Sequence, residues 1–172
     1  MGRNICIILL FDPITNQHLT RLMEKTAAFD LPTKNHYPHL TIANYPGINP
    51  RKVKSYFANF FKKIKAFPIS FIHLIRLDQK IIAIEPGSSN TLMEIYENFN
   101  IKYGEDANVW TKSIATFRPH ISIAQGEAAI LDQLYPYLLD AFVPFNGYIT
   151  AVEVSEVLNE GYKILARIDL EK

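Results

Sequence analysis

The sequence predicts an α+β fold built on antiparallel sheets. Strand-like apolar runs alternate with amphipathic helices and occur in hairpin-joined pairs, without a long series of parallel strand–helix–strand units. The order strand, helix, strand, strand occurs twice along the chain. No glycine-rich loop precedes a predicted helix, which disfavours the dinucleotide and P-loop nucleotide folds. With 172 residues, 48% of them hydrophobic, we expect a single domain over residues 1–172.

The first half of the chain is divided by proline and glycine. An apolar run predicts a strand at Asn4–Phe11, and Pro13 then opens an amphipathic helix over 13–29. Pro46 and Gly47 end a strand over 39–45. A helix over 50–65 carries a buried aromatic stripe among six basic residues, and two strands joined by a tight turn follow it at 67–77 and 80–85.

The second half repeats this order. Periodicity predicts a helix over 89–103, a strand near 109–115 and another strand over 120–124. A helix over 127–140 comes next. A long strand over 142–157 and a last strand over 162–170 then form a hairpin with its turn at residues 159–161.

Two near-identical tracts begin the repeated units. Each contains proline, histidine, an aliphatic residue, a hydroxyl residue and isoleucine, beginning at Pro38 and at Pro119. Side chains alternate along a strand, so His39 shares a face with Thr41, and His120 shares a face with Ser122. Two copies of this pair of histidine and hydroxyl residue, 81 residues apart, predict a duplicated motif whose two imidazoles contact one ligand.

Acid–base catalysis on a phosphate suits this pair. Hydrolysis of a phosphate ester needs a base for the attacking water and an acid for the leaving oxygen. Histidine populates both protonation states near neutrality, because its ordinary pKa is about 6.5. The hydroxyls can donate hydrogen bonds to the non-bridging oxygens. The sequence does not assign which histidine is the acid and which the base.

With these two H-x-[T/S]-x motifs, each preceded by proline, the chain resembles the 2H phosphoesterase superfamily, which includes RNA 2',3'-cyclic phosphodiesterases and 2'-5' RNA ligase-like proteins. The resemblance covers nearly the whole chain. It implies a bilobal domain with two pseudo-symmetric lobes, each an antiparallel sheet with helices on its outer face, and an active-site cleft between them. It also implies that His39 and His120 are catalytic and that Thr41 and Ser122 bind phosphate.

The resemblance implies metal-independent hydrolysis of a 2',3'-cyclic phosphate or a 2'-5' phosphodiester in an RNA end or a nucleotide. Three alternatives stay open. The chain could act as a 2'-5' RNA ligase, which is the reverse reaction, and no residue distinguishes the two directions. It could also be a non-catalytic module that binds RNA ends, or a sensor of cyclic nucleotides.

Several residues near the motifs are candidates for contacting the substrate: His36, Tyr37, Tyr45, Lys112, Phe117 and Arg118. The aromatic ones, with Trp110, could stack on a base. The competing interpretation places the aromatic rings in the core and the charged side chains in solvent.

Composition limits the remaining classes of function. Residues 1–86 hold 12 Lys and Arg against 5 Asp and Glu, an asymmetry that fits either RNA contact or a solvated surface. Cys6 is the only cysteine, so no intramolecular disulfide can form. The histidines lack the short fixed spacings of zinc sites, and we expect neither metal nor cofactor. We also expect a monomeric cytoplasmic protein that does not contact membranes.

Overall fold

The computed structural model describes residues 3–29, 31, 37–159 and 161–171. Seven strands in this part are joined by helices and turns. The strands are β1 Asn4–Phe11, β2 Leu40–Pro46, β3 Phe67–Asp78, β4 Ile81–Pro86, β5 Ile121–Gln125, β6 Phe145–Leu158 and β7 Gly161–Asp169. The helices are α1 Pro13–Glu24, α2 Pro50–Phe61, α3 Asn90–Asn100, α4 Val109–Lys112 and α5 Ala128–Ala141, with 3₁₀ turns at Lys25–Phe29 and Gly104–Asp106.

All strand pairs of the sheet are antiparallel, which confirms the predicted α+β class. The order is β2-β1-β6-β3-β4-β5, and β7 also pairs with β6. Strand β6 belongs to both halves of the sheet. Its first residues, 145–149, pair with β3, while the remainder pairs with β1 along one edge and with β7 along the other. The predicted two sheets are therefore halves of one hydrogen-bonded network.

The strand order has an internal two-fold symmetry. Exchanging β1, β2 and β3 with β4, β5 and β6 reproduces every pairing in the six-strand order. The repeat is thus strand–helix–strand–helix–strand, and it begins one strand before each motif strand. The first helix of each repeat packs across to the other repeat, α1 against β5 and α3 against β2.

The curvature of the sheet brings its two edge strands together. Strands β2 and β5 lie at opposite ends of the order, yet some of their Cα atoms lie within 8 Å of each other. The large apolar core, which includes Phe57, Phe71 and Phe99, fills the space under the helices. A second, smaller cluster on the opposite face of β1 contains Cys6, Ile8, Leu10 and Ala151.

The strand predicted over 109–115 is wrong. Residues 109–112 form helix α4, and turns follow it. Local hydrogen bonds from hydroxyl side chains explain the difference, because they satisfy backbone groups that a strand would pair elsewhere. The Thr116 hydroxyl donates to the Val109 carbonyl at 2.8 Å, and the Thr111 hydroxyl donates to the Asn108 carbonyl at 3.3 Å.

We predict that Phe117→Ala destabilises the fold strongly. Phe117 is 7% exposed and stacks on Tyr96 with ring centroids 3.8 Å apart. Removing a buried phenylalanine ring typically lowers the free energy of unfolding by about 3–5 kcal/mol. Urea denaturation measures the loss. The matched control is Tyr137→Ala at a ring that is 45% exposed, for which we expect a loss below about 1 kcal/mol. Equal losses in the two variants would contradict this account of Phe117.

Candidate active site

A cleft of about 680 Å³ lies where the two edge strands approach each other. All four motif side chains line it, namely His39, Thr41, His120 and Ser122. The tips of the β3–β4 and β6–β7 hairpins supply further walls. The other lining residues are Asn4, Cys6, Asn44, Leu77, Asp78, Ile81, Asn108, Trp110, Thr116, Arg118, Val157 and Tyr162. The structure therefore brings together the two tracts that the sequence repeats.

Both histidines are held by the same local hydrogen bond. The Nδ1 of His39 lies 2.9 Å from the Tyr37 carbonyl oxygen, and the Nδ1 of His120 lies 2.8 Å from the Arg118 carbonyl oxygen. A carbonyl can only accept, so Nδ1 carries the proton in each ring. The residue between donor and acceptor is a proline in both cases, Pro38 and Pro119. Its ring fixes φ at about −65°, which restricts the backbone of this three-residue segment. Each imidazole therefore has a defined tautomer whose basic nitrogen is Nε2.

Each motif strand also contains a β-bulge directly after its hydroxyl residue. In β2 the partner of β1 changes from Thr41 to Ala43, and in β5 the partner of β4 changes from Ser122 to Ala124. The bulge inserts one residue and reverses the alternation beyond it. In β2 it places Asn44, rather than residue 43, on the face that carries His39 and Thr41.

The environment of His120 disfavours its charged form. Burial lowers the pKa of His120 below its ordinary value, and the Arg118 guanidinium acts in the same direction. The Arg118 carbonyl and Asp78 act in the opposite direction without reversing the shift. The Trp110 ring centroid lies 6.1 Å from that of the imidazole. His120 is consequently biased towards the neutral form, which can accept a proton.

His39 lies in a different environment, beside two tyrosines. Its ring meets Tyr162 edge-on with centroids 5.6 Å apart, and Tyr37 with centroids 6.1 Å apart. The Tyr37 hydroxyl donates to Glu153, which is 1% exposed and pairs with Arg167 at 3.3 Å. Burial raises the pKa of Tyr162 to about 12 and that of Tyr37 still further, so both phenols stay protonated near neutrality.

Two of the candidate contact residues lie at or beside the cleft. Arg118 lines it and pairs with Glu85 through its Nε at 3.1 Å. Tyr37 is half-buried and packs behind His39 rather than lining the cleft. His36 lies outside the described residues.

Three other candidates are corrected by the structure. Tyr45 is fully buried and donates to Asn100 at 3.4 Å, because the bulge turns it away from the cleft. Phe117 belongs to the core, stacked on Tyr96. Lys112 does not line the cleft, and its Nζ lies 2.8 Å from a Glu105 carboxylate oxygen.

Sequence reasoning missed the polar residues of the cleft outside the motifs. Asn44 is 5% exposed, and its Nδ2 donates to Asn4 at 2.9 Å and to the Cys6 sulfur at 2.9 Å. Asn108 donates to the Asn44 side chain at 3.2 Å and to its carbonyl at 2.7 Å. No spacing in the sequence signals this network, because it depends on the bulge. Tyr162 could have been found from its place directly after the predicted hairpin turn.

The described residues contain no group of three or more His, Cys, Asp or Glu side chains arranged to hold a metal ion. Cys6 is a buried thiol on the cleft wall, and burial raises its pKa to about 11. In the described part of the chain, no helix is both long and apolar enough to cross a bilayer.

Several solved structures share this fold at low sequence identity. Escherichia coli LigT complexed with 3'-AMP matches with a TM-score of 0.63 and 12% identity, covering 100% of both chains. A protein of Thermus thermophilus matches with a TM-score of 0.64 and 15% identity over 97% of each chain. Kluyveromyces marxianus Usb1 matches with a TM-score of 0.53 and 13% identity, covering 97% of this chain and 98% of that one.

No curated protein matches the sequence significantly. The family comparison is decisive, because residues 11–160 match the model of the 2'-5' RNA ligase superfamily. This span includes both motif strands and helices α1 to α5, in agreement with the resemblance noted in the sequence. The chain therefore belongs to the 2'-5' RNA ligase superfamily, the group of 2H phosphoesterases.

Proposed function

We propose that this protein is a metal-independent phosphodiesterase that hydrolyses a 2',3'-cyclic phosphate or a 2'-5' phosphodiester of an RNA end or nucleotide. His39 and His120 act as the acid–base pair. The observation that carries the proposal is that both imidazoles line one cleft, each with Nδ1 bound to the carbonyl two residues earlier. Membership of a phosphoesterase superfamily and the binding of 3'-AMP by the similar LigT structure support it.

The proposed reaction is an in-line displacement at phosphorus. One imidazole accepts a proton from water through Nε2 while the water oxygen forms a bond to phosphorus. The other imidazole, protonated at the start, donates a proton to the ribose oxygen as its bond to phosphorus breaks. The two rings thereby exchange protonation states, and proton exchange with solvent restores them.

We assign the base to His120. Its pKa is lowered, chiefly by burial, so its neutral form is the more populated near neutrality. His39 then supplies the proton to the leaving oxygen. A base must be unprotonated before the reaction and an acid protonated, so unequal environments favour one distribution of roles.

Hydroxyl and guanidinium groups stabilise the phosphate in this proposal. Thr41 and Ser122 follow their histidines by two residues and line the same cleft, where each hydroxyl can donate to a non-bridging oxygen. Arg118 adds positive charge, part of which is offset by Glu85.

The monomeric state and the cytoplasmic location stay predictions.

We predict that His39→Ala and His120→Ala each lower kcat for a 2',3'-cyclic nucleotide by about 10²–10⁴-fold, because each variant loses one positioned proton carrier. Product chromatography measures the turnover. The control is His73→Ala, since His73 is exposed and does not line the cleft. Normal turnover in either motif variant would refute the acid–base roles. Nucleotide binding without turnover in the unmodified protein would identify a binding module instead.

The pH dependence tests the assignment of His120. We expect kcat/KM to rise with pH through the pKa of His120, at a pH below the ordinary histidine value, and to fall as the acid loses its proton. Asp78 raises the pKa of His120, so Asp78→Asn should move the rising limb to lower pH. Proton NMR titration of the His120 ring provides an independent measurement. If only the falling limb moved, His120 would be the acid.

Activity should be unchanged by EDTA. The proposed mechanism uses only protein side chains, and the described residues hold no group of three or more His, Cys, Asp or Glu placed to bind a metal ion. The assay compares initial rates after extensive chelation with rates after adding back Mg²⁺, Mn²⁺ or Zn²⁺. Loss of activity with EDTA and its recovery with one of these ions would overturn metal independence.

A further inference from the structure

We propose that residues 108–116 form a nucleobase subsite, in which the base of the substrate stacks on Trp110 beside His120. This inference rests on the proposed function in one respect, namely that the substrate is a nucleotide. It adds the position of the base, which lies on the His120 side of the cleft, and the residue that binds it.

Trp110 combines exposure with a fixed position. It is the only tryptophan in the sequence, it lines the cleft, and it is 37% exposed. An indole usually buries most of its area, so a partly open ring in a cleft offers apolar surface to a flat ligand. Its ring centroid lies 6.1 Å from the ring centroid of His120. A base stacked on Trp110 can therefore belong to the same nucleotide as a phosphate bound beside His120.

The segment that carries the indole is tied down on both sides. The amide and the side chain of Asn108 both donate to Asn44 on β2. The Thr111 hydroxyl accepts from the Asn44 amide at 3.2 Å, and the Tyr96 hydroxyl donates to the Thr111 carbonyl at 3.0 Å. A surface already ordered before binding loses little conformational entropy when a base stacks on it.

The cleft also has the volume and polar groups that a nucleoside requires. At about 680 Å³ it lies within the range of pockets for small organic ligands and exceeds the needs of a lone phosphate. Asn108 and Thr116 line the same wall as Trp110 and can meet the polar edge of a base. Among the described residues, Trp110 and Tyr162 are the Phe, Tyr or Trp side chains that line the cleft, and Tyr162 packs edge-on against His39, so the ring beside His120 is Trp110.

The single tryptophan makes a direct test of binding available. We expect 3'-AMP and 2'-AMP to quench the intrinsic indole fluorescence, because a stacked base contacts the only emitting indole. Inorganic phosphate and base-free ribose 5-phosphate should leave the emission unchanged. Absence of quenching by the nucleotides at saturation, confirmed by calorimetry, would overturn the subsite. Equal quenching by phosphate would also overturn it, since the signal would then report occupancy of the phosphate position alone.

Substitution separates this subsite from the catalytic proposal. Trp110→Ala should weaken 3'-AMP binding by about 5- to 150-fold, the range expected for loss of one base stack, while phosphate binding is unchanged. Trp110→Phe should retain most of the affinity. The matched control is Ile114→Ala, an exposed apolar residue of the same segment that does not line the cleft.

The possible failures are distinguishable. Thermal unfolding of Trp110→Ala and Trp110→Phe checks that both variants are folded. Nucleotide affinity that is unchanged in folded Trp110→Ala refutes the subsite whether or not the protein hydrolyses cyclic phosphates. Quenching without hydrolysis would refute the proposed function and leave the nucleobase subsite standing.

Discussion

Strand β6 pairs antiparallel with three other strands, and this pairing positions both repeats and the cleft between their motif strands. One end of β6 pairs with β3, and its remaining length lies between β1 and β7. This shared strand makes one sheet of the two repeats. Because the sheet curves, its edge strands β2 and β5 come within 8 Å of each other. The cleft exists only because these edges meet, since each motif lies on one of them.

Within the cleft, the two histidines have the same backbone support but different surroundings. Both imidazoles are anchored through Nδ1 to a carbonyl across a proline, and both motif strands contain a bulge after the hydroxyl residue. The surroundings differ, however. Both rings are half-buried, but His120 lies beside Arg118 and Trp110, whereas His39 packs against Tyr37 and Tyr162. In the hydrolysis that we propose, one ring must act as a base and the other as an acid, and this difference in surroundings favours His120 as the base.

The segment between α3 and β5 connects the two repeats across the cleft. Its Asn108 and Thr111 bond to Asn44 on the first motif strand, while its C-terminal end continues into Arg118 and the second motif. A change in its position would therefore alter both sides of the site. The same segment carries the partly exposed indole. It thus joins the first motif strand to the wall of the cleft beside His120.

The α+β class, the presence of an internal repeat and the four motif residues that line the cleft could be predicted from the sequence, although each repeat begins one strand earlier than predicted. These features depend on local periodicity and on residue type, which the sequence states directly. The predicted strand over 109–115 was wrong because hydroxyl side chains satisfied the local backbone in a helix and turns. Boundaries elsewhere differ by a few residues. Which neighbours of the motifs face the cleft could not be predicted from the sequence, because it depends on strand register and packing. Because of the bulge at Ile42, Asn44 rather than Tyr45 faces the cleft. A bulge depends on pairing between strands that lie far apart in sequence. Strand alternation is a local rule, whereas strand register and packing depend on the whole chain, which is why the sequence identified the histidines but not their surroundings.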